Sequence, residues 1–285
     1  MITVGTDNSS KAEFPYLVDI CITHKCNYGC SFCYAGSTPD GQEAENYYVT
    51  GELKKALEEA NVFEVVFGGG EPTTHKSLVY ILKSYNDAGF KTSFTTKNYD
   101  MHTMDSVKEL IMAAGSIAVS VNSLEEFEKA KVMIKAISDM AINHPKGYSH
   151  PHFAIQTIMG MMAWSDLQTI ITDCSKSFIF NRLSLLGYKS NVGRSAEAPP
   201  YEIPDEWIQT VKDSRIEVCL DSIACRTWAE KLRKHGVANY LMSTDEGQET
   251  CFIDAVDRVI KPSSFSSVSF SMVKDQDIKE AFAQF

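Results

Sequence analysis

The sequence predicts an α/β fold, a parallel sheet with helices outside it, either open or curled into a partial barrel. Three observations point there. Short apolar strands alternate with amphipathic helices through the first two thirds of the chain. The strand runs are compact and apolar, as strands buried on both faces are. Residues suited to chemistry fall directly after the strands, at the edge where such folds carry their sites.

Taken in order, Tyr16–Thr23 is the first strand and leads into a cysteine-rich loop. Gly51–Ala60 is a helix, its Glu52–Ala60 part rich in Leu, Lys, Glu and Ala, all good helix formers. Val62–Phe67 is the second strand, bounded by Gly68, Gly69 and Gly70. Ser77–Ala88 then reads as a helix, Thr92–Thr96 as a strand, Thr103–Ala113 as a helix, Ser116–Val121 as a strand and Leu124–Met140 as a helix. His152–Ile158 and Ser165–Lys176 form the next pair, and Arg182–Leu186 is the sixth strand. Beyond it the pattern changes. Gly187–Pro204 is loop-like, Glu206–Asp213 a short helix, Arg215–Leu220 a strand and Arg226–His235 another helix. The stretch from Cys251 to Pro262 reads as a hairpin with Asp257 at its turn, and Ser263–Phe270 is irregular. A core over 1–198 and a small α+β extension over 199–285 are therefore expected.

The chain has 285 residues, 44% of them apolar and 22% charged, an ordinary globular composition. No apolar run reaches the roughly 20 residues needed to span a bilayer. The polar start, Met1 to Phe14, lacks a signal-peptide pattern, so a cytoplasmic protein without membrane attachment is expected. Twenty-seven Lys plus Arg against 37 Asp plus Glu give a formal charge of −10. That balance argues against nonspecific nucleic-acid binding, though not against a nucleotide-sized substrate. Eight cysteines in such a chain are expected as thiols, which leaves metal, cluster or core roles.

Cys26-Asn-Tyr-Gly-Cys30-Ser-Phe-Cys33 spaces its thiols by three residues, then two. Thiolates are the soft ligands of iron–sulfur clusters, and three on one loop reach three corners of a cubane. A Cys₃His zinc site, with His24 as fourth ligand, is the bland alternative. The second motif, Gly68-Gly69-Gly70-Glu71-Pro72, directly follows a buried strand. Its glycines allow close backbone approach, and Glu71 offers a carboxylate to a ligand ammonium group.

Together these motifs resemble the radical S-adenosylmethionine (radical SAM) superfamily, with Phe32 as the aromatic before the last cysteine. The resemblance covers roughly Tyr16 to Gly187 and implies a partial (β/α)₆ TIM-like barrel. It implies a 4Fe–4S cluster on Cys26, Cys30 and Cys33, whose open iron is chelated by S-adenosylmethionine. Reductive cleavage then yields a 5′-deoxyadenosyl radical that takes hydrogen from substrate, fed by an electron donor such as flavodoxin or ferredoxin. Gly69, Gly70 and Glu71 match the turn that holds the cofactor's amino group, and Phe32 the residue near the adenine. Ser120 matches the fourth-strand serine at the cofactor's carboxylate or ribose, and Asn122 a residue near the ribose. Thr96 and Asn98 are expected to face the same pocket, and Gln156 and Gly187 to border ribose and adenine. Capping or turn roles are the alternative for these polar residues. His75, His150 and His152 read as loop or core histidines, and Cys21 and Cys174 as buried small residues.

Cys219, Cys225 and Cys251 resemble a shortened auxiliary-cluster (SPASM or twitch) extension, which implies at most one further 4Fe–4S cluster. Packing alone is the alternative. Lys189 and Arg194, cations after the sixth strand, are candidates for a substrate or cofactor carboxylate, against a solvated loop. The resemblance implies modification of a peptide or protein substrate. Little chain precedes the first strand, so a separate recognition partner or short leader is expected. Oxidation or rearrangement of a small molecule or nucleotide is the alternative, and a non-catalytic iron–sulfur or zinc regulator the second.

Overall fold

A computed structural model describes residues 11–142, 151–176, 180, 182–199, 201–202, 204–236, 240–242, 246–272 and 278–285. His150 lies outside them. Among the described residues, eleven strands form one sheet in the order β11-β10-β9-β1-β2-β3-β4-β5-β6-β7-β8. The six strands expected from the sequence are its centre: β1 (Leu17–Thr23), β2 (Glu64–Gly69), β3 (Lys91–Thr96), β4 (Ser116–Ser120), β5 (His152–Ile158) and β6 (Arg182–Leu186). Their pairings are all parallel. The crossover helices are α1 (Lys54–Glu59), which follows a π-helical segment Tyr48–Leu53, then α2 (Leu78–Asp87), α3 (Val107–Ala113), α4 (Leu124–Ile142) and α5 (Trp164–Lys176).

The C-terminal third continues this sheet at both ends instead of forming a separate layer. β7 (Glu217–Leu220) and β8 (Tyr240–Met242) add in parallel beyond β6, joined to it through α6 (Asp205–Asp213) and α7 (Ser222–Lys234). β9 (Thr250–Asp254) runs parallel to β1 on the other flank. It folds back into β10 (Val259–Lys261), so the expected hairpin is present, and Arg258 at its turn adopts φ +55°. β11 (Phe270–Ser271) and α8 (Ile278–Ala283) finish the chain.

Side-chain alternation divides the sheet into two faces. Val18, Ile20, Ile22, Val65, Phe67, Phe94, Ile117, Val119, Phe153, Ile155, Leu183 and Leu185 are almost fully buried in one core with the helices' apolar residues. The register puts Asp19, Val66, Ser93, Ser116, Ala118, Ser120, Ala154, Gln156 and Ser184 on the opposite face. That face is lined mainly by small and polar side chains, and its carboxyl edge carries the cysteine loop and the glycine turn. No helix among the described residues is long and apolar enough to cross a membrane.

Candidate active site

Cys26, Cys30 and Cys33 all lie half-buried on the loop after β1. Gly29 and Gly36 sit in the left-handed region, φ +61° and +64°, which lets so short a segment turn back on itself. The Cys26 N–H donates to the Thr38 carbonyl at 2.9 Å, and the Cys33 N–H to that of Cys30 at 3.2 Å. Burial, followed by smaller effects that include the neighbouring Glu71, Cys30 and Cys33, raises the Cys26 thiol pKa. The loop thus carries three half-buried soft donors within one short segment.

Two segments clamp it. The glycine turn packs against its root. A side chain at Gly69 (φ +121°) would meet the Thr23 carbonyl at 2.3 Å, and one at Gly70 the Lys25 carbonyl at 2.1 Å. Hydrogen bonds from Gly70 N–H to Thr23 O (2.6 Å) and Glu71 N–H to Lys25 O (2.8 Å) seal the contact. From the other side comes the loop after β6. The Arg194 guanidinium donates to the carbonyls of Cys30 (3.2 Å) and Ser37 (2.7 Å), and its backbone N–H to Cys33 O (2.8 Å). Arg194 was a candidate for a substrate carboxylate; two of its side-chain N–H groups are engaged by the cysteine loop.

Glu71 is also held by protein donors. It is 3% exposed, and both its oxygens are taken by protein donors. Oε1 accepts from the Thr73 N–H and hydroxyl and from the Thr96 hydroxyl, and Oε2 accepts from the Lys97 N–H at 2.8 Å. The carboxylate bolts the turn after β2 to the end of β3. Thr96 and Asn98 belong to that bolt: the Asn98 N–H donates to the Thr96 hydroxyl, and its amide to that of Thr73. The β3 register puts Thr96 on the helix side with Phe94, so Thr95 is the residue on the polar face.

Ser120 and Gln156 are half-buried register partners on the polar face, beside Ser184. Asn122 ties two strand ends together, its side-chain oxygen accepting from the Ile158 N–H at 2.9 Å. Gly187 donates to Asp221 Oδ1 at 2.8 Å, and a side chain there would strike Ile223 of α7 at 2.2 Å. Lys189 sits over the Tyr34 ring (3.8 Å to its centroid) and the Phe265 ring (4.9 Å), and donates to the Ser264 hydroxyl. His75 is a core histidine, hydrogen-bonded to Ala44 O.

Two residues escaped sequence reasoning. Lys97 reaches Cys30 Sγ at 3.6 Å, pairs with Glu126 at 2.6 Å and lies 5.8 Å from the Phe32 ring centroid. Asp19, within β1, is on the polar face; burial pushes its carboxyl up to about 6, with Lys189 opposing. The polar residue within an otherwise apolar strand was the available signal.

The auxiliary-cluster set is not assembled. Cys219 on β7 and Cys251 on β9 have β1 to β6 between them in the sheet. Cys251 pairs with Val18 and shares the helix-side face, whereas Cys219 pairs with Ser184 on the polar face. Cys225 is in α7, its thiol 3.6 Å from the Leu220 carbonyl. His24, the candidate zinc ligand, turns away from the cysteine loop to Asp254 at 2.9 Å.

The sequence profile of the Radical SAM superfamily matches residues 20–143, which span β1 to α4 and hold both motifs. Over those residues the chain matches the radical SAM superfamily. The family's cofactors are a 4Fe–4S cluster and S-adenosylmethionine. Among curated relatives, a probable GTP 3′,8-cyclase of Saccharolobus islandicus is 29% identical over 117 residues, covering 39% of this chain and 36% of the relative. An S-adenosylmethionine-dependent nucleotide dehydratase of Selenomonas ruminantium is 30% identical over 114 residues, covering 38% and 40%. The chain thus spans well under two thirds of the length of these relatives. Among solved structures, Streptococcus suis SuiB bound to S-adenosylmethionine aligns with a TM-score of 0.67 at 15% identity, over 94% of this chain and 65% of SuiB. That likeness extends the radical SAM fold across nearly the whole chain.

Proposed function

We propose that this chain is a radical enzyme whose Cys26, Cys30 and Cys33 hold the 4Fe–4S cluster. When bound, the cluster and S-adenosylmethionine supply a 5′-deoxyadenosyl radical that abstracts hydrogen from substrate. The observation that carries this reading is one loop with three half-buried thiols at the carboxyl edge of a polar sheet face. The chain's own part is positional. Gly69, Gly70 and Arg194 hold the loop in shape, and Lys97 sets a cation beside Cys30. Ser120, Gln156 and Ser184 offer hydrogen bonds to a polar ligand over the sheet. Anaerobic reconstitution followed by S-adenosylmethionine and a strong reductant is expected to release 5′-deoxyadenosine. No release from a cluster-loaded sample would refute the reading.

For substrate we propose a peptide or protein. In support, the fold likeness to SuiB, one of whose structures holds its precursor peptide SuiA, runs through the C-terminal strands as well as the core. A second reading, a nucleotide, is favoured by the two relatives whose names describe nucleotide chemistry. The polar face suits either. Offering short peptides and nucleoside triphosphates separately decides between them, because the true class accelerates 5′-deoxyadenosine formation and gains or loses mass.

A further inference from the structure

The pairing of β9 with β1 brings together three donors that play no part in the cysteine loop. Cys21 and Asp254 are direct register partners, so both side chains leave the same face of the sheet. His24, just past the end of β1, folds back over them. The thiol, the imidazole nitrogen and a carboxylate oxygen all lie within 4.8 Å of one another. We propose that Cys21, His24 and Asp254 form a second metal site, for a divalent ion of zinc type, that pins β9 to β1 at the root of the cysteine loop.

Thiolate, imidazole and carboxylate are the three ligand types that zinc accepts. Metal–ligand bonds of about 2.0 to 2.3 Å put neighbouring donors of a tetrahedral shell roughly 3.4 to 3.6 Å apart. The His24 Nε2 to Asp254 Oδ2 separation of 2.9 Å must then open by only about half an ångström. The donors are also held in place. Asp254 Oδ1 accepts the N–H groups of Val256 (3.0 Å) and Asp257 (3.1 Å), which leaves Oδ2 toward His24. The His24 backbone is fixed by its N–H to Gln42 O at 2.7 Å, and Gly41 packs so closely on its carbonyl that a side chain there would lie at 2.1 Å. Gly69 makes room for the sulfur, since a Cβ at that position would sit 2.7 Å from Cys21 Sγ. The His24 side chain is 31% exposed, which leaves an ion a way in and a fourth position for water.

The cysteine loop also binds soft metals, so the test separates the two. The full chain carrying Cys26→Ala, Cys30→Ala and Cys33→Ala is titrated anaerobically with Co²⁺. The expected result is about one cobalt per chain, with a thiolate-to-cobalt charge-transfer band and intense tetrahedral d–d bands, all displaced by Zn²⁺. Adding Cys21→Ser or Asp254→Asn to that background should remove the bands. In the otherwise natural, cluster-loaded chain, the same single changes should abolish bound zinc while iron per chain stays constant. Zn²⁺ should also raise the melting temperature of the natural chain. Absence of a charge-transfer band in the triple variant, or bands that survive Cys21→Ser, would overturn the site and leave His24–Asp254 as a hydrogen-bonded pair. Neither outcome bears on the release of 5′-deoxyadenosine, so this proposal stands or falls separately from the catalytic one.

Discussion

Replacing Glu71 by Gln changes one oxygen into a donor at a point where every neighbour is a donor. The three groups on Oε1 can keep an amide oxygen, but the Lys97 N–H on Oε2 then faces an NH₂. Hydrogen bonds to a charged acceptor are worth about 1.5–3 kcal/mol each, and an unsatisfied buried donor costs about 1–3 kcal/mol. With Glu71 only 3% exposed, water cannot take over these bonds. One lost charged bond, weakening of the other three and a donor–donor conflict sum to roughly 3 kcal/mol. Equilibrium urea unfolding followed by circular dichroism reads this directly. With a slope of about 3 kcal/mol/M, the midpoint should fall by about 1 M at unchanged slope. A ligand-facing carboxylate behaves in the opposite way: Glu71→Gln would weaken S-adenosylmethionine binding and leave the midpoint alone. A midpoint within about 0.2 M of the natural chain, alongside weakened cofactor binding, would refute the internal-bolt argument.

Gly70→Ala pushes a methyl group to 2.1 Å from the Lys25 backbone carbonyl, which cannot rotate away; a loss of at least about 3 kcal/mol and poorer iron loading are expected by urea unfolding and iron assay. Burial raises the folded-state pKa of Asp19 to about 6, above the ordinary carboxylate value, so its contribution is complete below about pH 4 and lost as pH climbs through about 6. Asp19→Asn should therefore stabilise the chain at pH 7 by roughly 2 kcal/mol and flatten melting temperature against pH between about 4 and 6; an unchanged profile would count against a buried carboxylate. Cys219→Ala and Cys251→Ala should leave iron at about four atoms per chain, because the two thiols are on opposite sheet faces; a loss of about four irons in either variant would restore an auxiliary cluster.

Much of the fold was legible because strand and helix periods are local. The six core strands and their crossover helices coincide with the expected segments to within a few residues, and the hairpin after Cys251 is where its turn residues put it. The cysteine loop and the glycine turn were legible for the same reason, since each motif lies within a few consecutive residues. What failed was long-range. Thr96 was expected toward the pocket, but a register set by neighbouring strands turns it to the helix side, and a one-residue difference reverses a side chain. The C-terminal cysteines looked clustered along the chain, yet β9 returns to the far flank of the sheet and separates Cys251 from Cys219.

The sequence by itself determined the α/β alternation, the parallel core and the loop that carries the three thiols, because propensity, periodicity and motif spacing are written in adjacent residues. Tertiary structure decided which groups remain open to a ligand. It tied Glu71 to the end of β3, set Arg194 against the cysteine loop, brought Lys97 to Cys30, and joined Cys21, His24 and Asp254 across a strand pair with more than two hundred intervening residues. Hydrogen-bond saturation and strand order are properties of the packed chain, and neither leaves a local signature in the sequence.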